Sequence, residues 1–391
     1  MTRSIERDWC DDFDLDSREF NEHYGEAIAA LHATCPVARS TVGKGYWVVA
    51  AHDDLRTCAQ DWRTYSSGQG VLVNRPDGVP LLVPTESDPP YHTALRQPLA
   101  KYFGPERVAR YEPSIRSFTN DLIDVVIERG SCDFANDISR PLPGLVFFRD
   151  VLGLPVAEVD RIKRVMDETT HGATPEDRGA AWGEIGRYVD EYLRMREHEP
   201  PREDVVDAVL QLEFEGAPLA WDQKVSITTT LLSGGLETTS NVLSGAVWFL
   251  ATHPAERDLL AGDLTLLPRA VEEFLRYYAS TFALGRTATC PVTIGGRDIP
   301  EGDIVMLAFA AANRDPRVFD EPDVCQIDRI ENRHATFGLG PHRCIGSHLA
   351  RLELNVALEV ILSRMPQLRL DGEVTTQTSF VRAVVSMPVA F

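Results

Sequence analysis

Apolar residues recur every three to four positions from Tyr91 to about Leu250, the period of helices with one buried face. Prolines at 105, 141, 155 and 200–201 divide that region into separate helices. The pattern predicts a long helix over Trp221–Thr252, a further one over Pro268–Tyr278 and a last one over Ile345–Arg364. Alternation of period two predicts a strand at Tyr46–Ala51, short strands between Thr287 and Ala311 around a Pro300-Glu301-Gly302 turn, and strand in the tail SFVRAVVSMPVAF. Residues 69–90 are rich in Gly and Pro yet partly apolar. A long irregular loop of that kind is a candidate for function. Residues 313–343 are mostly irregular. The chain is therefore expected to be mainly α with a minor β region, without repeats and without a linker that would divide it.

One stretch breaks the helical pattern. Residues 231–240 read LLSGGLETTS, in the middle of the longest predicted helix. Each interior glycine costs about 1 kcal/mol relative to alanine. The hydroxyls of Thr238, Thr239 and Ser240 compete for backbone partners. A local distortion of the helix is expected here, where hydroxyls or water replace backbone bonds.

Charge narrows the function classes. Lys and Arg number 39 against 59 Asp and Glu, a net charge of −20. That argues against non-specific binding to nucleic acid or anionic membranes. No stretch approaches the roughly 20 apolar residues of a membrane helix, and the N-terminus does not read as a signal peptide. A cytoplasmic protein is expected. The seven cysteines are scattered and include no CxxC pair, which disfavours structural zinc. In a reducing compartment most of them read as small buried residues.

Cys344 stands apart. It lies in FGLGPHRCIGSHLAR (337–351), after Gly338 and Gly340 and just before Gly346 and a helix. A helix start favours thiolate, and glycines let a flat ligand approach. A buried cysteine in a Gly-rich turn fits the same residues equally well. The spacing Phe-Gly-x-Gly-x-His-x-Cys-x-Gly resembles the haem-binding loop of the cytochrome P450 family. The resemblance implies that Cys344 ligates haem iron as thiolate, that Phe337 packs against it with Gly338 and Gly346 beside the haem, and that His342 binds a haem propionate.

Three further segments match the family in the right order. Glu273 and Arg276 form an ExxR pair, which Arg329 completes eight residues before Phe337. The resemblance implies a buried structural ion pair. The segment from Asp88 to Arg96 resembles the start of a family helix in which His92 and Arg96 hold propionates, and Arg286 stands where the family has another cation. Ala312–Pro316 matches the stretch before the haem loop. The implied fold is a single prism-shaped P450 domain over residues 1–391, which replaces the two or three domains suggested by length.

With that resemblance, Gly234 and Gly235 become a groove for dioxygen, Thr238 its hydrogen-bonding partner and Glu237 a proton relay. The implied activity is that of a monooxygenase of secondary metabolism, which hydroxylates or epoxidises a small-to-medium apolar substrate such as a terpenoid, an aromatic or a polyketide-type compound. The implied cofactor is haem b with dioxygen as co-substrate. Electrons come from NAD(P)H through an external 2Fe-2S or similar ferredoxin and its reductase. Arg343 and Arg351 are the candidate docking cations, and the working unit is a monomer. Peroxide-using or substrate-coupling chemistry and a non-catalytic haem sensor are the competing readings. The substrate is expected to touch Val71, Leu72, Asn74, Leu82, Thr281, Phe282, Leu284, Val384 and Val385, together with residues near Met166–Thr170 and Leu231. Asn74 and Arg75 otherwise read as a solvent-facing turn.

Overall fold

The computed structural model describes residues 7–391 apart from 74, 76–78 and 379. Helices dominate, and six of them build the site. They are α1 (Tyr91–Ala100), α2 (Val159–His171), α3 (Trp221–Gly234), α4 (Thr238–Thr252), α5 (Leu267–Tyr277) and α6 (Ser347–Arg364). The expected long helix is thus two helices, α3 and α4, separated at Gly235-Leu236-Glu237. Among the described residues no helix is long and apolar enough to cross a membrane.

Helix α4 is almost wholly buried, and α6 buries ten of its side chains, Glu353 among them. The two pack against each other and against α5 in the main core, which contains Phe148, Phe274 and Leu250. The predicted break in apolar period at Pro141 is not a break in the chain's coiling. Two π-helical stretches, 135–139 and 147–152, flank the helix Pro141–Val146 there.

A five-stranded sheet joins the N-terminal region to residues 284–307. Its strand β1 (Tyr46–Val49) pairs in parallel with β3 (Ile304–Leu307), and β3 pairs antiparallel with β2 (Leu284–Ala288). Opposition of Val305 to both Trp47 and Arg286 puts a buried arginine on the central ladder. The N-terminal helices Arg18–Glu22, Tyr24–Ala33 and His52–Gln60 and the strand Val37–Ser40 were not legible from periodicity, being short. The tail holds two strands, Arg382–Ser386 and Pro388–Ala390.

The cysteines depart from expectation at two points, a disulfide and few buried free thiols. Cys10 and Cys35 are joined in a disulfide. Of the others, Cys58 is buried, Cys132 and Cys325 are half-buried, Cys290 is exposed, and Cys344 is accessible where it lines an internal cavity while protein surrounds the rest of it.

Candidate active site and cofactor cradle

Cys344 faces a cavity of about 310 Å³ between the loop 336–346 on one side and the α3–α4 break on the other. The loop is tightly wound. Cys344 N–H donates to Phe337 C=O at 2.7 Å. Gly340 has φ +71°, and a Cβ there would lie 2.3 Å from the Ala59 carbonyl oxygen, so only glycine fits. The thiol does not behave as its place before a helix suggested. Burial pushes its pKa up, and the opposing Gly346 N–H, Arg96, Arg343 and Arg351 do not overcome that. A metal cation at the sulfur reverses this logic, because it deprotonates a coordinating thiol.

On the opposite wall, the ladder is interrupted where expected. Thr238 Oγ donates to Gly234 C=O at 3.4 Å, and Ser240 Oγ to Glu237 C=O at 2.8 Å. The Glu237 carbonyl already accepts the Asn241 N–H at 3.1 Å, so Ser240 adds a second donor to it. Gly234, Gly235, Thr238 and Thr239 all line the cavity. The two glycines have different reasons. A Cβ on Gly234 meets nothing within 4 Å and would project into open space, whereas one on Gly235 would sit 2.6 Å from the Phe147 ring. Gly235 is required by packing, not by the room it leaves.

Glu237 is outside the cavity lining. It points to α2, where it shares a hydrogen bond with Asp167 beside Lys163 and Arg140. Burial first, then the Asp167 carboxyl, push Glu237 up to about 8, against the pull of the two cations. Lys163 is brought down to about 8 by burial and by Arg140. A carboxyl raised this far keeps its proton at neutral pH.

A second set of side chains meets at one edge of the cavity. His92 and Arg96 from α1, Arg286 from β2 and His342 from the loop converge there. The His92 and His342 rings are 4.2 Å apart, and Arg96, Arg286 and His342 line the cavity. Neither ring nitrogen of His92 has a hydrogen-bond partner among the described residues. His342 has only Ser67 Oγ, at 3.3 Å. Burial, with Arg286, His92 and Arg96, pushes His342 down to about 2; burial and Arg96 bring His92 to about 4. Burial also lowers Arg286 to about 10. Buried donors without acceptors are costly. This group of four suits a ligand that carries two carboxylates.

The ExxR pair is closed and complete. Glu273 accepts from Arg276 at 2.7 and 2.8 Å, from Arg329 Nε at 3.1 Å, from Asn332 at 3.1 Å and from Gln326 N–H at 2.8 Å. Arg276 also donates to the carbonyls of Asn313, Pro322 and Val324. The network ties α5 to the irregular segment that precedes the loop. The neighbouring Glu272 turns the other way and binds Arg351 and His334. Arg351 is therefore an ion-paired residue and not the free surface cation expected of it, whereas Arg343 is exposed.

The substrate side needs the most correction. Thr281, Leu284, Leu231 and Gly234 line the cavity. Val71, Leu72, Leu82, Phe282, Val384 and Val385 do not. Phe282 packs against Phe13, Phe20 and Tyr24 in an aromatic cluster that the unread N-terminal helices create. Val71 uses its backbone, N–H to Glu86 at 2.8 Å and C=O to Gly285 N–H at 2.7 Å. Leu82 opens on a separate cavity beside Trp182 and Trp221. Val384 belongs to the core, Val385 offers its carbonyl to Asn136, and Leu72 is half-buried elsewhere. Met166 is likewise a core residue. Arg75 is held by the buried Glu86 carboxylate instead of facing solvent, and Asn74 lies outside the described residues. Pro84, Thr85, Phe103, Phe147, Val242, Phe309 and Glu353 line the cavity without having been singled out. The helical period placed most of them on buried faces, but no local signal separates a cavity wall from a core.

The cytochrome P450 family profile matches residues 174–387. The steroid C26-monooxygenase of Mycolicibacterium smegmatis is 34% identical over 376 residues, covering 94% of this chain and 92% of the relative. The chain belongs to the cytochrome P450 family. The 20-oxo-5-O-mycaminosyltylactone 23-monooxygenase of Streptomyces fradiae is 32% identical over 94% of this P450 and 89% of its own length. The solved structure of the bacillaene polyketide synthase P450 PksS of Bacillus subtilis superposes with a TM-score of 0.88 at 26% identity, covering 97% of this chain and 99% of that one. The protein is accordingly a P450 monooxygenase with the P450 fold, and the family implies haem and dioxygen. The residues present fit that cofactor: an open thiol faces the cavity, and unpartnered His92 with Arg96, Arg286 and His342 supplies the cradle for two propionates.

Proposed function

We propose that this P450 inserts one oxygen atom from dioxygen into a C–H or C=C bond of a small-to-medium apolar metabolite, with terpenoid, aromatic and polyketide-type compounds as the classes to test. Haem b held by Cys344 supplies the oxidative chemistry when bound. Arg96, Arg286, His92 and His342 bind its carboxylates and fix its plane. The observation that carries the reading is the Cys344 thiol facing the Thr238 hydroxyl across one cavity.

The chain's own part is orientation and proton supply. Thr238 donates its O–H to Gly234 C=O at the break, which leaves its hydroxyl oxygen as an acceptor towards the cavity. Glu237, beside Asp167, holds a proton in reserve behind it, at a pKa near the working pH, where general acids act best. Apolar walls such as Phe147, Leu231, Val242 and Leu284 take the substrate, and Thr85, Ser280 and Thr281 orient it. Electrons come from NAD(P)H through a ferredoxin and its reductase, with Arg343 as the exposed cation for an acidic donor.

Reduced protein with carbon monoxide is expected to show the red-shifted Soret band of thiolate ligation, and Cys344→Ser to lose it. A wild-type protein without that band overturns the haem-thiolate reading. Thr238→Ala is expected to consume reductant and release hydrogen peroxide with little product. Fully coupled product formation by that variant would remove Thr238 from the mechanism and favour peroxide-using or coupling chemistry. A screen of apolar compounds for ferric spin-state shifts identifies the substrate class.

A further inference from the structure

Glu272 and Glu273 are adjacent on α5 but serve different networks. Glu273 closes the buried ExxR set, whereas Glu272 reaches sideways under the thiolate loop. Its Oε2 accepts from Arg351 Nη2 at 2.8 Å and from His334 Nε2 at 3.1 Å, and its Oε1 accepts from Arg351 Nε. His334 Nδ1 accepts the Thr336 N–H at 3.3 Å, which leaves Nε2 as the protonated nitrogen that donates to Glu272. Arg351 Nη1 also donates to Ser347 C=O at 3.4 Å, at the start of α6.

Both side chains that Glu272 holds face Phe337. The Arg351 guanidinium lies 4.5 Å from the Phe337 ring centroid, and the His334 ring is 5.8 Å away at a 52° tilt. Phe337 in turn accepts the Cys344 N–H on its carbonyl at 2.7 Å and lines the cavity beside Cys344. A chain of contacts therefore runs from α5 through two ring-facing groups to the backbone of the cysteine loop.

We infer that Glu272, Arg351 and His334 form a positioning triad for the thiolate, and that Arg351 acts through Phe337 and not as a docking cation. The inference rests on the reading of Cys344 as the haem ligand. Guanidinium stacked on a ring and forked onto a carboxylate is held in one geometry. That geometry fixes the face of Phe337 against the loop and keeps the Cys344 N–H engaged. It also neutralises the Arg351 charge, so that an acidic partner gains little from it. Without the clamp the Phe337 ring and its carbonyl lose the contacts that hold them beside Cys344.

The test uses the haem-loaded protein and four variants: Glu272→Gln, Arg351→Lys, Arg351→Glu, and the exchange Glu272→Arg with Arg351→Glu. The readouts are the rate at which the ferrous carbon monoxide complex converts from the thiolate band to the unshifted thiol band, and the KM for a ferredoxin donor. Glu272→Gln, which is nearly isosteric, and Arg351→Lys, which keeps the charge, are each expected to raise the conversion rate at least threefold. Neither is expected to change the ferredoxin KM by more than twofold. The exchange variant is expected to recover at least half of the stability of the thiolate band lost in Arg351→Glu. Unchanged conversion rates in Glu272→Gln and Arg351→Lys, with KM lowered by Glu272→Gln and raised by Arg351→Glu, overturn the triad in favour of docking. Absence of the thiolate band from wild type overturns the haem reading and the triad together, whereas its presence with unaffected variants overturns the triad alone.

Discussion

Two glutamates, Glu273 fully buried and Glu237 half-buried, have opposite company. Glu273, below the cysteine loop, is fully buried and receives five hydrogen-bond donations, three of them from arginines. Glu237, above the cavity at the helix break, has another carboxyl as its nearest hydrogen-bonding partner. The same contrast holds for the surroundings. On the cysteine side both arginines of the ExxR set share the Glu273 carboxylate, and backbone carbonyls take up their remaining N–H groups. Along the edge where α1, β2 and the loop meet stand His92 with no hydrogen-bond partner and Arg286 with only its neighbour's carbonyl, among the described residues. A satisfied buried network holds a shape. Unsatisfied buried groups mark where a ligand or a proton is to be received.

If that distinction is right, removal of charge has opposite effects in the two regions. Glu273→Ala leaves Arg276 and Arg329 buried without a counter-charge. Breaking such a set costs about 3–5 kcal/mol, a large share of an ordinary domain's stability. Urea unfolding is expected to show that loss, or no folded protein to be recovered. A loss below about 1 kcal/mol would place Glu273 among the dispensable surface pairs.

Glu237→Gln should be stabilising, and increasingly so with pH. The folded-state pKa, about 8, lies above the ordinary carboxyl value, so between pH 4.5 and 8 the native state retains a proton that the unfolded chain has released. Wild-type stability then falls as pH rises through that window. Each pH decade of displacement corresponds to about 1.4 kcal/mol, and Gln removes this group's share. The advantage of Glu237→Gln over wild type is expected to grow from near zero at pH 5 to about 2 kcal/mol or more at pH 8, by thermal and urea unfolding. Glu353 contributes a wild-type slope of the same sign. A variant whose stability tracks wild type at every pH would show that Glu237 is ionised and solvated.

The propionate edge gives the next smaller effect. Burial lowers Arg286 to about 10, so the fold holds its charge at a cost that an anionic ligand offsets. Arg286→Leu is expected to leave the haem-free protein as stable as wild type, or more so, while haem loss to an acceptor globin accelerates about tenfold, worth about 1.4 kcal/mol. A destabilised haem-free variant with unaltered haem retention would move Arg286 into the structural class with Glu273.

The sequence carried the satisfied region better than the receptive one. Motif spacing singled out Cys344 and located the ion-paired Glu273, Arg276 and Arg329, because such a loop and an ion pair need fixed residue types at fixed intervals. It also marked the break at Gly235–Glu237, since glycines and hydroxyls inside a helix are locally unfavourable. It did not locate the substrate wall. Phe282 looks the same whether it faces a cavity or, as here, the aromatic cluster of Phe13, Phe20 and Tyr24. Nor could spacing reveal that Gly235 answers to Phe147, or that Glu237 finds Asp167 some 70 positions away in the chain, because packing between distant helices leaves no periodic trace.

Arg343 is the smallest and most exposed test of the same contrast. It is solvent-facing, beside the thiolate, and its carbonyl but not its side chain is engaged by Arg96. A rim charge steers encounter more than it stabilises a fold. Arg343→Glu places a carboxylate on a chain that already carries a net charge of −20, and repulsion of an acidic donor is screened over about 8–10 Å at ordinary salt. The ferredoxin KM is expected to rise about two- to fivefold in dilute buffer, corresponding to the 0.2–1 kcal/mol typical of exposed pairs. The rise should vanish above about 0.5 M salt, with unfolding temperature and the thiolate band unchanged. A rise that persists in high salt would mean that Arg343 acts on the loop itself, and would join it to the groups that hold Cys344 in place.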